Sequence, residues 1–290
     1  MIKKFLISGG FGDAINQFIK IYEICLRENI PSDSVCITYH RDLIDKDLIL
    51  KDGGNPKTYE VWGKAIAELQ GWQINFVEGH VTEYFKKHGC NYDYRLGTLF
   101  SDIEVPDQQR GGFYGRVPEE TSVELTVFPT PWKFNRVQKA ANFKILAIHS
   151  EFADERSMPQ RAWHSAANLL NFIKILKERH TNLSVYLFGN TKKHDISLFE
   201  KLSSDTFQVI NWMNRSVVDQ FSLVLSSDCV IGFSGWAHHT PASAGIKLYA
   251  FKEHDMYAEL YYSPLWRKNN HIIEWENNAP QAEFAKEVII

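Results

Sequence analysis

The stretch that most constrains this chain is Phe5-Leu6-Ile7-Ser8-Gly9-Gly10-Phe11-Gly12-Asp13-Ala14-Ile15. An apolar run suited to a buried strand ends in three closely spaced glycines, and a helix is predicted from about Asp13. Ala14, Ile15, Phe18, Ile21, Tyr22 and Cys25 recur at helical spacing and give that helix one apolar face. Glycines at such a junction let the backbone take positive φ or pass close to a ligand. The turn opens onto a helix N-terminus, where unpaired N–H groups and the macrodipole favour negative charge. Asp13 stands at that terminus. It is either a helix cap, as aspartate commonly is, or a catalytic base held in its ionised form. Gly9-Gly10-Phe11-Gly12 lacks the G-x-G-x-x-G spacing of a dinucleotide fingerprint, and no acidic residue follows on a second strand to complete one.

The rest of the chain has to supply partners for this unit. Its 290 residues suit two domains better than one core. A hydrophobic share of 44% with 23% charged residues places it among ordinary soluble globular proteins. The net charge of −3 does not call for nucleic acid or an anionic membrane, although a local basic patch stays open. Cys25, Cys36, Cys90 and Cys229 are scattered, with no C-x-x-C pair; Cys25 and Cys229 fall in apolar periodic segments and read as buried free thiols. That usage suits a reducing cytoplasm. Met1-Ile2-Lys3-Lys4 runs into the first strand without a cleavage site, and no apolar run reaches membrane-spanning length. The expectation is a cytoplasmic protein with no transmembrane segment.

Strands and helices alternate along the first half. Ser34 to Tyr39 reads as a second strand, residues 51–56 as a loop, 59–69 as a helix, 74–77 as a strand and 81–88 as a helix. Alternation of this kind argues for a parallel sheet with helices on both faces. Gln109-Arg110-Gly111-Gly112-Phe113-Tyr114-Gly115-Arg116 reads as a loop, either plain surface or an acceptor contact through Arg110, Tyr114 and Arg116. Val123-Glu124-Leu125-Thr126-Val127 alternates as a strand does, and the prolines at 129 and 131 make a stiff connector after it. The domain boundary is placed there, giving domains 1–130 and 131–290. The second half then repeats the pattern: strand 144–150, polar loop 151–159, helix 163–179, strand 183–188 ending at Gly189-Asn190, helix 216–226, strand 229–233, a turn at Ser234-Gly235, a short helix, and strand 246–251. The fold class expected is α/β, with two Rossmann-like domains facing a central cleft.

In open α/β sheets ligands sit beyond the carboxyl ends of the strands. Three loops qualify: residues 9–13 with a carboxylate, 150–159 with Arg156, and 234–239 leading into a helix. Arginine suits bidentate phosphate contact, and the N–H groups of a small-residue turn hold phosphate. A carboxylate facing a diphosphate site is what glycosyl transfer requires: the base takes a proton from an acceptor hydroxyl while fixed positive groups receive the leaving nucleotide's charge. Other residues stay open to two readings. Trp236 either stacks on a ligand or packs as a buried aromatic. Glu151, Asp154 and Glu155 supply a second carboxylate or form a solvated acidic loop. Adjacent side chains on a helix diverge by about 100°, so His238 and His239 do not chelate one ion; His238 reads as a donor-site contact and His239 as packing or surface.

These motifs resemble the ADP-heptose:lipopolysaccharide heptosyltransferase family, glycosyltransferase family 9. Its members open with strand, G-x-x-G-D and helix, matched by Gly9-Gly10-Phe11-Gly12-Asp13. They carry a basic residue shortly before W-P in the mid-chain loop, matched by Arg156-Ser157-Met158-Pro159 with Met158 in place of the tryptophan. Their closing motif, A-D-x-V-I followed by D-[ST]-G and a histidine, aligns with Ser227-Asp228-Cys229-Val230-Ile231-Gly232-Phe233-Ser234-Gly235-Trp236-Ala237-His238, and Phe233 stands where the family has aspartate. The resemblance implies the GT-B fold and an inverting transferase with Asp13 as base. It also implies a donor site drawn from Gly10, Gly12, Ser150, Arg156, Gly189, Ser234, Gly235, Trp236 and His238. It implies no cofactor and no bound metal. The partners implied are a nucleotide-diphosphate sugar donor and an acceptor glycan or other hydroxyl-bearing molecule; nucleic acid stays open as acceptor through the Arg110 to Arg116 loop. The rival functions are a nucleotide-sugar epimerase or hydrolase on the same fold, and a non-catalytic nucleotide- or glycan-binding protein.

Overall fold

A computed structural model describes residues 1–41, 56–78, 91–100, 120–152, 162–190, 197–233, 235–251, 262–275 and 282–290. Its contacts divide the chain into two units, one of Met1–Lys133 with Met256–Asn269, the other of Phe134–Asp255 with Asn270–Ile290.

The first unit is built on a four-stranded sheet in which every pairing is parallel. Its elements in chain order are β1 (Lys3–Ser8), α1 (Phe11–Glu28), β2 (Val35–Arg41), α2 (Pro56–Gln70), β3 (Gln73–Glu78) and the two-residue β4 (Tyr94–Arg95). Their spatial order is β3-β2-β1-β4. Phe5, Leu6 and Ile7 are fully buried, as a central parallel strand covered on both faces requires. α1 starts at Phe11 rather than Asp13, because Gly10, in extended conformation, is the residue that caps it. Asn29, at φ 53°, ends it in the left-handed conformation. Of the predicted apolar face, Cys25 is only half-buried.

Residues 123–127 form no strand. Val123 and Leu125 are buried as the alternation predicted, yet the backbone finds its acceptor in a side chain of α1, the Glu23 carboxylate, instead of a neighbouring strand. The predicted helix 81–88, Cys90 and the loop 109–116 lie outside the described residues.

The second unit is a six-stranded, wholly parallel sheet. It runs β5 (Lys144–His149), α3 (Ala166–Arg179), β6 (Leu183–Phe188), α4 (Ser197–Glu200), β7 (Phe207–Asn211), α5 (Val217–Ser226), β8 (Cys229–Phe233), α6 (Trp236–Ser243), β9 (Lys247–Phe251) and β10 (Ile272–Trp275). A one-turn helix, α7 (Pro264–Arg267), precedes β10 and belongs to the first unit. The spatial order is β10-β9-β8-β5-β6-β7. Counted within the unit this is 3-2-1-4-5-6, the order of a dinucleotide-binding Rossmann sheet. Its core joins Leu146, Ile148, Val185, Leu187 and Ile231 to Phe172, Ile173 and Leu176 of α3.

The expected helix 163–179 begins only at Ala166, capped by the Ser165 hydroxyl. Trp163 is instead buried, its backbone N–H on the Glu151 carbonyl at 2.8 Å. β7 and β10, unforeseen in the sequence, are the sheet's edge strands. No helix among the described residues is long and apolar enough to cross a membrane.

Candidate active site

Both sheets reverse their strand order once, and ligands of open α/β sheets bind at such a reversal. In the first unit it lies between β1 and β4. The turn after β1 is drawn tight around Asp13. The Gly10 N–H donates to Asp13 Oδ2 at 2.8 Å, so the aspartate closes its own helix start. Gly9 sits at φ 101°, and a Cβ there would lie 2.8 Å from the same carboxylate oxygen. Glycine is thus required both for the dihedral and for the approach. The Tyr39 hydroxyl, from β2, donates to the Gly9 carbonyl at 2.8 Å. Capping is therefore present, and the residue stays partly exposed.

Behind Asp13 runs a polar stripe that amphipathic reading of α1 missed. Asp13, Gln17, Lys20 and Glu23 recur within a stripe roughly 120° wide at 100° per residue, and the last three are buried. Gln17 accepts the Ser8 N–H at 2.8 Å and donates to the Ser8 carbonyl at 2.5 Å, to the Asp13 carbonyl at 3.2 Å and to Thr98 Oγ1 at 3.3 Å. The Lys20 ammonium donates to the Gly97 carbonyl at 2.7 Å, to the Leu99 carbonyl and to Glu120 Oε1 at 3.1 Å. These bonds tie the turn beyond β4 to the helix that carries Asp13. The sequence signal for them was polar residues at core spacing, which reads as a solvated face until something is seen to cover it.

In the second unit the reversal lies between β5 and β8. β5 ends at His149, and Ser150 and Glu151 follow it. The Ser150 hydroxyl donates to the Ile148 carbonyl at 2.9 Å and is buried, so it is engaged by the backbone. Glu151 is no solvated residue: its side chain is 12% exposed and its Oε1 lies 3.4 Å from His149 Nε2. After β6, Gly189 turns at φ 127°, where a Cβ would stand 3.1 Å from the His149 ring. After β8, Gly235 turns at φ 113° with no described atom within 4 Å of where its Cβ would sit. α6 starts there without a side-chain cap. Trp236, its first residue, is half-buried edge-on to Phe188 at 5.9 Å.

The histidines of α6 separate as adjacent helix positions must. His238 is buried and its Nε2–H donates to the Gly232 carbonyl at 2.6 Å, which ties α6 to β8. His239 is buried too, contrary to a surface position; burial and then the neighbouring His238 push its pKa down to about 3. Phe233 is 1% exposed, stacked on Phe251 at 5.3 Å and tilted against His149 at 5.7 Å. Its ring belongs to the core, and the position carries no polar group toward a ligand. Burial pushes the Cys25 and Cys229 thiols up to about 12, which leaves both poor nucleophiles at neutral pH. Among the described residues no group of three or more histidine, cysteine or acidic side chains is arranged to hold a metal ion. Arg156, Ser234, Arg110, Tyr114, Arg116, Asp154 and Glu155 lie outside the described residues.

Against solved structures, the E. coli heptosyltransferase WaaC with ADP matches over 99% of this chain and 98% of its own, at 10% identity and a TM-score of 0.51. The fold is GT-B. E. coli ADP-heptose LPS heptosyltransferase II (12% identity, 97% and 93% covered, TM-score 0.47) and a family 9 glycosyl transferase from Veillonella parvula (11% identity, 94% and 87% covered, TM-score 0.47) are also similar. No protein-family model and no curated protein matches the sequence.

Proposed function

We propose that this protein is an inverting glycosyltransferase that moves a sugar from a nucleotide-diphosphate donor to an acceptor hydroxyl without a bound metal ion. The observation that carries this reading is a matched pair of switch points. One presents a partly exposed aspartate, Asp13, at a glycine turn; the other presents the N-terminus of α6, whose cap residue Gly235 carries no side chain. Asp13 accepts the proton of the acceptor hydroxyl, whose oxygen attacks the anomeric carbon and displaces the diphosphate. The α6 N–H groups and the Arg156 guanidinium receive the charge of the leaving group. Trp236 borders the same site, where a base or sugar would meet its exposed part. The donor is proposed to be a nucleotide sugar because the fold-matched E. coli enzyme was solved with ADP.

The test is a thermal-shift screen against ADP, UDP and nucleotide sugars, followed by transfer assays with Asp13→Asn. A ligand at about 100 times its dissociation constant adds roughly 2.7 kcal/mol. A nucleotide-diphosphate hit, with transfer lowered about 10²–10⁴-fold in Asp13→Asn and nucleotide affinity kept, is the expected result. Unchanged turnover in that variant removes Asp13 as base.

A second reading has its own observation. Phe233, at the end of β8 where the sheet reverses, is a buried aromatic and offers no polar group to a ligand. A protein that binds a nucleotide sugar and never turns it over fits that apolar position, and a donor hit with no transfer to any acceptor would select it.

A further inference from the structure

Alternate residues of β1, from Lys4 through Leu6 to Ser8, turn their main-chain groups toward the β4 side of the sheet. The Lys4 carbonyl accepts the Asp93 N–H at 2.9 Å, and the Lys4 N–H donates to the Asp93 carboxylate at 2.7 Å. Leu6 stands opposite Arg95, and its carbonyl accepts the Leu96 N–H at 2.9 Å. A regular parallel ladder would next join Ser8 to the main chain at Leu96 and Thr98. The side chain of Gln17 makes that rung instead. Its Oε1 accepts the Ser8 N–H at 2.8 Å, and its Nε2 donates to the Ser8 carbonyl at 2.5 Å. A carboxamide offers an acceptor and donors as a peptide unit does, so α1 continues the ladder where β4 has stopped at Arg95.

The amide therefore stands at the reversal of the four-stranded sheet, and Thr98 Oγ1 accepts from it there at 3.3 Å. It also reaches the Asp13 carbonyl at 3.2 Å. Ser8 enters the glycine turn and Asp13 leaves it, so one side chain grips the turn at both ends. Gln17 is fully buried, and bonds made out of water are costly to leave unmade. We infer that Gln17 is the positioning residue of this site: its amide fixes the backbone on both sides of Gly9-Gly10-Phe11-Gly12 and so sets where the Asp13 carboxylate stands. The inference rests on the reading of Asp13 as base and adds the residue that places it. Placement matters steeply, since a shift of about 1 Å at a reacting group costs on the order of 10²-fold in rate. Lys20 and Glu23, further along the same stripe, grip residues 97–99 and 126–127 and leave the turn to Gln17.

The experiment compares wild type, Gln17→Met and Glu23→Gln, the first two also in the Asp13→Asn background. Gln17→Met keeps the length of the side chain and removes its amide; Glu23→Gln lowers stability from the same helix without touching the turn. The first readout is hydrogen exchange of the Gly10 N–H, which donates to Asp13 Oδ2 and not to Gln17. It is expected to exchange about tenfold faster in Gln17→Met, with Ile21 and Ile24 unchanged, and to stay put in Glu23→Gln. The second readout is release of ADP from ADP-glucose and of UDP from UDP-glucose, with water or added glycan as acceptor. There kcat should fall about 10–100-fold in Gln17→Met with the donor KM kept. Adding Gln17→Met to Asp13→Asn should bring no further fall, because the first acts through the second. If Gln17→Met does not fold, Thr98→Val, which frees the amide on its far side, decides by the direction of the Gly10 change.

The exchange readout decides whether or not either sugar is turned over. A Gly10 rate unmoved, or raised only as much as the rest of α1, overturns the inference and leaves Asp13 as base. A further fall on adding Gln17→Met to Asp13→Asn overturns it too, since Gln17 would then act apart from Asp13. Unchanged turnover in Asp13→Asn alone removes the base, and the inference with it, even where Gly10 exchanges faster.

Discussion

Glu23 holds Thr126 by both backbone and side chain. Its Oε2 accepts the Thr126 and Val127 N–H groups, each at 2.9 Å, and its Oε1 accepts the Thr126 hydroxyl at 2.5 Å. A carboxylate this deeply buried is tolerated because donors surround it. Glu23→Gln turns one acceptor into an NH2 group that faces donors. It is expected to destabilise the fold by roughly 2–4 kcal/mol. Urea unfolding measures this, and a change under about 0.5 kcal/mol would mean the three bonds are dispensable.

Gly189 and Gly235 share positive φ and differ in surroundings, which separates strain from crowding. Gly235→Ala meets only the backbone penalty, about 1–3 kcal/mol for a dihedral pair that side chains avoid. Gly189→Ala adds a Cβ 3.1 Å from His149 Cδ2 and 3.3 Å from Glu151 Cγ. It should therefore cost more than Gly235→Ala. Equal melting temperatures for the two variants would count against the crowding.

Acid should weaken this fold earlier than its carboxylates alone would. Burial holds the His239 pKa at about 3, against 6.5 in the unfolded chain, and lowers those of His180 and His271 as well. Between those two values the unfolded state binds the proton and the folded state does not. His239 therefore costs no stability above about pH 6.5 and progressively more as pH falls through the window. The slope for one such proton is about 1.4 kcal/mol per pH unit. Unfolding free energies at about pH 6.5, 5.5 and 4.5 should decline, and His239→Gln should lessen the decline. An identical slope in the variant would relocate the proton elsewhere.

An acid introduced at Phe233 should not be tolerated. The ring stacks on Phe251 and stands 6.5 Å edge-on from Trp163, inside the aromatic core. Phe233→Asp removes that packing, worth about 3–5 kcal/mol in a large-to-small change, and leaves a carboxylate among apolar rings. Loss of soluble, cooperatively melting protein is expected. A folded variant with raised transfer would show that the backbone here can turn the position outward.

The parts of this architecture readable in the sequence are those set by local chemistry. β1, β5, β6 and β8 are built on apolar runs, the pattern of parallel strands buried on both faces. The glycine turns at Gly9 and Gly235 were visible because so few residues reach positive φ. β7 and β10 were not, being short edge strands whose burial is partial and whose pattern includes Asn211 and Glu274. The segment at 123–127 misled for a different reason: its alternation reports which side chains are buried, and the partner of its backbone lies a hundred residues earlier in Glu23. His149 and Glu151 escaped notice because a pair across a strand end has no spacing signature; only the fold brings Gly189 beside them.

The polar stripe of α1 also bears on how such a chain can diversify. Lys20 asks for carbonyl oxygens and Glu23 for amide hydrogens, and every residue carries the first while all but proline carry the second. At residues 97–99 Lys20 reads no side chain, and at 126–127 Glu23 reads only the Thr126 hydroxyl. Residues outside these anchorages can change without touching the backbone contacts that α1 makes. The helix that presents Asp13 is, in this sense, a fixed socket for interchangeable fittings.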